Sequence, residues 1–180
     1  MIVGDGLRLR AIERADLPTI VTWLNDPEVR DQLAAYLPMS LAAEERWFEK
    51  LPERPREQQP LAIDVARGNA WKLIGTCGLH EVDWRTRAGE LGIMIGEKGE
   101  WSKGYGTQAV ALLVQFAFET LNLHRISLYV YADNARAIRA YEKAGFVLEG
   151  RLRDGEFRHG VYRDVLMMGI LRPEWAAARK

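Results

Sequence analysis

Within "EWSKGYGTQAVALLVQFAFETL" (residues 100–121), Ala109, Leu112, Leu113, Phe116, Ala117 and Thr120 recur at steps of three and four, and Val110 and Val114 widen the stripe. That period predicts a helix with one face packed on a sheet. Upstream, "LRLRAI" (7–12) alternates as an edge strand does, and Asp16 is placed to cap a helix through "LPTIVTWLN", with Pro18 tolerated in its first turn. "DPEVRDQL" (26–33) starts a second short helix. "SLAAEERWFEKL" (40–51) is a third, capped by Ser40 and turning Leu41, Trp47, Phe48 and Leu51 toward a core. The polar, proline-rich "PERPREQQP" (52–60) reads as a loop, because what precedes it is too short to be a domain.

Strand-like runs follow: "LAIDVAR" (61–67), "WKLIGTCGLHEVDW" (71–84) and "AGELGIMIG" (88–96). Gly68-Asn69 and Arg85-Thr86-Arg87 separate them, which predicts antiparallel hairpins. After the long helix come a strand "RISLYVYA" (125–132), a helix over 134–144, a strand "FVLEGRLR" (146–153) and a last strand "YRDVLMMGIL" (162–171). Helices first, then an antiparallel meander, then a strand–helix–strand unit make an α+β order. In 180 residues without a repeat or linker, one domain over 1–180 is expected.

Composition acts mainly by exclusion. Lys+Arg and Asp+Glu are both 25, so the formal net charge is zero and gives no general attraction to nucleic acid or an anionic membrane. No apolar run reaches the length of a membrane span. The start, "MIVGDGLRLRAIERAD", has early charges and no apolar segment with a cleavage site, and the single Cys77 suits a reducing compartment, so cytoplasmic residence is expected. Cys77 lies in an apolar strand run and reads as a small core residue more than as a nucleophile partnered by His80, His124 or His159. Those histidines have no metal-ligand spacing, and no metal is expected.

The informative chemistry stands where the long helix begins, at Lys103-Gly104-Tyr105-Gly106-Thr107. First-turn amides lack internal partners, the macrodipole adds partial positive charge, and glycines without Cβ atoms let the backbone approach an anion. A lone G-x-G can equally be a turn that merely starts a helix. Two nucleotide motifs are poor matches: no Gly-Lys-Ser/Thr tripeptide occurs, and Ala109 stands where the dinucleotide fingerprint needs its third glycine.

"WSKGYGTQA" followed by "DNARAIRAYEKAGF" (133–146) resembles the GNAT superfamily of acetyl-coenzyme A-dependent N-acetyltransferases, and the branch with ribosomal-protein N-terminal and spermidine acetyltransferases most of all. The likeness extends from the opening strand and "WLNDPEVR" to the closing "GVYRDVLMMGIL". It implies a mixed, mostly antiparallel central sheet flanked by helices, in which "AGELGIMIG" carries a bulge and splays from its neighbour to hold the coenzyme. It also implies acetyl-CoA as co-substrate and direct transfer to an amine. Trp101, Ser102, Lys103, Gly104, Tyr105, Gly106 and Thr107 would carry the pyrophosphate on backbone amides, with Trp101 standing where many relatives have Arg or Gln. Met94 and Ile95 would line the thioester and pantetheine, the Met94 amide facing the acetyl oxygen.

By the same likeness, Glu90 falls where relatives have the carboxylate that accepts a proton, directly or through water; read alone, it is equally the polar member of an alternating strand. Tyr141 matches the tyrosine near the coenzyme sulfur, and a phenol of ordinary pKa about 10 can donate to a leaving thiolate. A buried core tyrosine is the competing reading. Asn134 shares a helix face with Tyr141, Ala137 lies beside it, and Asn134 both caps a helix and matches a pantetheine contact. Arg136, Arg139 and Lys143 form a basic stripe, read as a solvated face from the residues and as adjoining the adenosine 3′-phosphate from the resemblance. Specificity in the superfamily resides in regions matching 16–51 and 153–163. Acids in the first (Asp26, Glu28, Asp31, Glu44, Glu45) suit a cationic amine or merely a solvated face. The acceptor is left among a protein N-terminus, a polyamine, an amino sugar and an aminoglycoside. A homodimer is compatible with the chain, and a non-catalytic acyl-CoA-binding module is the competing function.

Overall fold

The computed structural model describes residues 1–179. Eight strands follow one another as β1 (Ile2–Val3), β2 (Leu7–Ala11), β3 (Leu61–Arg67), β4 (Ala70–Asp83), β5 (Ala88–Ile95), β6 (Arg125–Tyr131), β7 (Val147–Arg158) and β8 (Val161–Leu171). They form one sheet in the order β1-β2-β3-β4-β5-β6-β8-β7. All neighbours pair antiparallel except β5 and β6, which are parallel. The helices are α1 (Leu17–Asn25), α2 (Pro27–Arg30), α3 (Leu41–Glu49), α4 (Tyr105–Glu119), α5 (Ala135–Lys143) and α6 (Arg172–Ala177). This is the mixed, mostly antiparallel α+β architecture expected.

Two apolar layers flank the sheet. On one face the α4 stripe of Ala109, Val110, Leu113, Val114, Ala117 and Phe118 packs on Leu9, Ile63, Leu79, Leu91, Ile126 and Leu128. On the other, Leu17, Ile20 and Trp23 of α1 pack with Val29, Ala62 and Met94. Parallel strands need a crossover, and α4 supplies it between β5 and β6. Its N-terminus therefore lies just past the carboxyl end of β5, the position where open sheets bind ligands.

Several local expectations shift. β2 is not an edge, because β1 pairs along it through Ile2↔Leu9 and Val3↔Arg8. Asp16 does not cap α1 with its side chain. Its carboxylate instead accepts from the Glu13 N–H at 2.8 Å and from Arg10 at 2.7 and 2.9 Å. Burial works against that charge, but Arg10 and the Glu13 amide outweigh it and hold the Asp16 carboxyl below its ordinary value. Arg10 also donates to Asp64 at 2.8 Å, so β2, β3 and the start of α1 share one ion network beneath the α1 layer. The second helix stops at Arg30, β7 runs on to Arg158, and α6 follows the last strand. β1 and α6 are too short to show a period.

Gly75 fixes how closely β4 and β5 lie, since a Cβ there would stand 2.1 Å from the Met94 carbonyl oxygen. Backbone cannot yield as a side chain does. Gly75→Ala is therefore expected to cost about 1–3 kcal/mol or more, read as a lower denaturation midpoint; wild-type stability would contradict this register.

Candidate active site

β5 and β6 pair only through Ala88↔Arg125, Gly89↔Ile126 and Glu90↔Ser127. Beyond Glu90, β5 stays on β4 as far as Gly75↔Ile95, while β6 stays on β8 as far as Tyr131↔Val165. The sheet is thus split from residue 91 onward. The bulge expected in β5 lies instead in β4, where Glu81 and Val82 oppose the single residue Gly89 and Glu81 adopts φ 47°. A bulge increases local twist, which turns the β4–β5 pair away from β6–β8. A cleft of about 840 Å³ passes through the split and is lined from both faces of the sheet.

The peptide orientations follow from the register. Gly96 N–H donates to the Ile74 carbonyl of β4 at 2.9 Å, and peptide groups alternate along a strand. The peptide groups of Ile93 and Ile95 therefore face the split, whereas that of Met94 faces β4. The resemblance gave the acetyl oxygen to the Met94 amide; here Ile93 presents its amide to the split instead. The Met94 side chain lies in the apolar cluster with Ile20 and Trp23.

Across the split stands the start of α4. Gly104 is its N-cap at φ +87°, a left-handed conformation that glycine adopts without a Cβ penalty, and no side chain caps the helix. The amides of Tyr105, Gly106 and Thr107 precede the first intrahelical bond, from Gln108 N–H to the Gly104 carbonyl at 3.0 Å. By contrast, Ser40 caps α3 and Asn134 caps α5. A Cβ on Gly106 would meet only Ile95 Cγ1, at 3.8 Å, so the space in front of it is open.

The loop leading to α4 is tied down on both sides. Trp101 donates its indole N–H to the Ile95 carbonyl at 2.7 Å. Its ring carries the Arg136 guanidinium at 3.7 Å, a cation–π contact reaching from α5. Glu100 is buried, and Arg67 at 2.7 Å and then Lys103 at 3.1 Å hold its carboxyl down to about 2. Lys103 is thereby engaged in the loop and does not line the cleft. Arg136, Arg139 and Lys143 do line it, and none of the three has an ion-pair partner among the described residues. The stripe is therefore an uncompensated positive wall beside an uncapped helix N-terminus.

At the centre of the cleft, Glu90 is half-buried, and burial first, then the Glu81 charge, raises its pKa. Tyr141 is buried against Phe146, and burial pushes its phenol up to about 12. It is a protonated donor across the neutral range, with no hydrogen-bond partner among the described residues. Asn134 accepts the Ala137 N–H at 3.1 Å as the cap of α5, and both residues line the cleft. Cys77 is buried in the core layer, and burial pushes its thiol up to about 12, so it is no thiolate nucleophile.

The far half of the cleft lies under α1 to α3. Ile20, Leu24, Val29, Met39 and Trp47 make it mostly apolar. Of the acids noted there, Asp26 and Glu28 pair with Lys98, and Asp31 with His159 and Arg163. Glu44 alone of the group lines the cleft; it is 4% exposed and has no ion pair or side-chain hydrogen bond among the described residues. Burial raises its pKa. Gln32 Oε1, on the same side, is buried without a partner. The two regions expected to set specificity do meet: Arg158 of β7 donates to the Arg30 and Leu33 carbonyls at 2.6 and 2.8 Å.

Of the site residues read from the sequence, Glu90, Met94, Ile95, Trp101, Ser102, Gly104, Tyr105, Gly106, Thr107, Asn134, Ala137, Arg139 and Tyr141 all line this one cleft. The sequence reading passed over Ile93 and Gly92 and gave His80 no part in the site, although all three line it, as does Arg136 of the basic stripe. No group of His, Cys, Asp and Glu suited to a metal occurs among the described residues, and none of their helices is long and apolar enough to cross a membrane.

A split sheet, an uncapped helix at its mouth and a through-going cleft define an acyl-coenzyme A-dependent transferase fold. Residues 6–147 match the family model described as "Acetyltransferase (GNAT) domain", and the chain belongs to that family. It is 32% identical to the spermidine N(1)-acetyltransferase of Vibrio cholerae over 181 residues, covering 96% of this chain and 97% of that one. It is 38% identical to the probable N-acetyltransferase YjcK of Bacillus subtilis over 125 residues, 68% of this chain and 67% of the relative. The crystal structure of the Vibrio cholerae spermidine N-acetyltransferase in complex with CoA and spermine superposes with a TM-score of 0.85 at 30% identity, covering 96% of this chain and 99% of that one.

Because Gly106 has open space and an ordinary φ, Gly106→Val is expected to leave the fold intact and weaken coenzyme A binding by at least about tenfold, roughly 1.4 kcal/mol. Titration calorimetry checks this; unchanged affinity in the folded variant would remove the α4 N-terminus from the coenzyme site.

Proposed function

We propose that the chain transfers the acetyl group of acetyl-CoA to a primary amine of a cationic alkylamine, a polyamine being the class that fits best. The observation that carries the acceptor is Glu44: a carboxyl side chain 4% exposed and without a protein partner among the described residues, in a mostly apolar half-cleft. Leaving such a charge unpaired is costly, and an ammonium group satisfies it while alkyl segments cover the apolar wall. The Vibrio cholerae relative, solved with CoA and spermine, supports the same class.

The coenzyme enters from the α4–α5 side. Its pyrophosphate lies on the amides of residues 105–107, with Arg136, Arg139 and Lys143 adding charge, and its pantetheine runs along the open edge of β5. The thioester then meets the amine inside the split. The ammonium loses its proton beside the Glu90 carboxylate, whose negative charge favours the transfer, and Tyr141 protonates the departing thiolate.

Two variants test this reading. Glu44→Gln removes the charge but keeps the shape, so KM for spermidine should rise by about tenfold or more with kcat little changed, while an uncharged-tail amine such as propylamine loses far less. The same change should raise the melting temperature of the ligand-free protein by a few degrees at neutral pH. The sign follows from the raised Glu44 pKa: the native state binds its proton more tightly than the unfolded state, so ionised Glu44 costs stability above the carboxylate range, and the gain should vanish near pH 4. Equal KM changes for both amines would transfer acceptor recognition elsewhere. Tyr141→Phe is expected to lower kcat by about 10- to 100-fold while acetyl-CoA affinity holds, since it removes only the phenolic donor. Full activity in that variant would show that thiolate departure needs no phenol.

A further inference from the structure

His80 of β4 is the direct cross-strand partner of Glu90 and lies on the same face of the sheet. Its ring leans diagonally onto β5: a Cβ built on Gly92 would stand 2.7 Å from His80 Nε2 and 3.1 Å from Cδ2. Gly92 belongs to the stretch of β5 that has left β6, so the imidazole rests against the split itself, on the acceptor side. Both ring nitrogens lack a hydrogen-bond partner among the described residues, and the residue lines the cleft. A half-buried histidine with no internal partner, held in place by a missing side chain opposite, has the geometry of a working group and not of a packing residue.

Building on the acetyl-transfer reading, we propose that His80 is the group that takes the proton from the ammonium, with Glu90 holding the resulting imidazolium. The ammonium N–H bond breaks, its electron pair stays on nitrogen, and the proton moves to the unprotonated ring nitrogen. The free amine attacks the thioester carbon, and the tetrahedral intermediate collapses with loss of the thiolate. Tyr141 gives the thiolate a proton and is made good by the second proton of the amine nitrogen. One proton per turnover is then released from His80 to solvent, which balances ammonium plus acetyl-CoA against amide plus free thiol.

The charged groups around the ring suit this part. Burial first, and then the Arg54 charge, lower the His80 pKa, while Glu81 opposes them. Glu90 faces it across the strands, and Glu44 lines the same half of the cleft. A ring kept neutral through the physiological range is ready to accept a proton.

The test is the pH dependence of kcat/KM for acetyl-CoA with spermidine, or with whichever amine the wild type uses. The wild type should show an acid limb below pH 6.5 and a plateau at neutral pH. The ring pKa of His80, read by NMR titration of the wild type, should coincide with that limb. His80→Gln should be on the order of 100-fold slower at pH 7, with log rate rising at unit slope toward the pKa of the amine and with acetyl-CoA affinity unchanged. Gly92→Ala keeps the imidazole but displaces it, and should shift the limb and lower the plateau. An NMR pKa that differs from the kinetic limb overturns the proposal even if His80→Gln does not fold. So does a His80→Gln enzyme with the wild-type profile, or one slowed equally at every pH. A wild type that releases no thiol with any amine overturns the transfer reading as well.

Discussion

Everything functional here depends on the hydrogen bonds that β5 and β6 do not make. The two strands are joined through Glu90 and Ser127 and then part, each keeping its other neighbour. Unpaired peptide groups buried in a sheet are costly, so the stretch from residue 91 is stable only when something else meets its edge. The protein meets that demand once itself, with the Trp101 indole on the Ile95 carbonyl. The Ile93 amide faces the split, where β6 no longer pairs with β5. Because β5 and β6 are parallel, the chain must cross over through α4, and the crossover sets an uncapped helix start at the open end of the split. The anion site and the strand edge are two results of one topology.

The split also separates two electrostatic environments. On the α4–α5 side, amide dipoles and Arg136, Arg139 and Lys143 favour a polyanion. On the α1–α3 side, the Glu44 carboxyl group stands without a protein partner among mostly apolar side chains. The proposed coenzyme and cation sites thus lie on opposite faces of the sheet, and His80, Glu90 and Tyr141 line the cleft that joins them. The ion networks keep the halves in place: Glu100 with Arg67 and Lys103 under the loop, Asp64 with Arg8 and Arg10 beneath α1, and Arg158 on the carbonyls following α2.

What the sequence discloses divides along physical lines. The stripe from Ala109 to Thr120 and the glycines at 104 and 106 mark α4 and its anion site, because period and backbone freedom are local properties. Pairing partners are not local. Nothing within "AGELGIMIG" says that its second neighbour leaves after Glu90; that expectation came by resemblance, and the bulge belongs to β4, where Glu81 shows no pattern of its own. The Met94 amide was misdirected for the same reason, since only the register with Ile74 shows which peptide groups turn outward. Glu44 reads as one of several acids until α3 is laid over the sheet. Arg136 is indistinguishable from a solvated arginine until Trp101, 35 residues earlier, is found beneath it.

The open edge of β5 is tested most directly by residue-resolved amide hydrogen exchange with and without coenzyme A. In the free protein, the Gly92 and Met94 amides, which face β4, should exchange slowly, whereas Ile93 and Ile95 should exchange fast. Coenzyme A should slow Ile93, Ile95 and residues 105–107 together and leave the edge strand β7 unchanged. Uniform protection from 91 to 95 in the free protein, or no change at Ile93 when coenzyme A binds, would contradict the account.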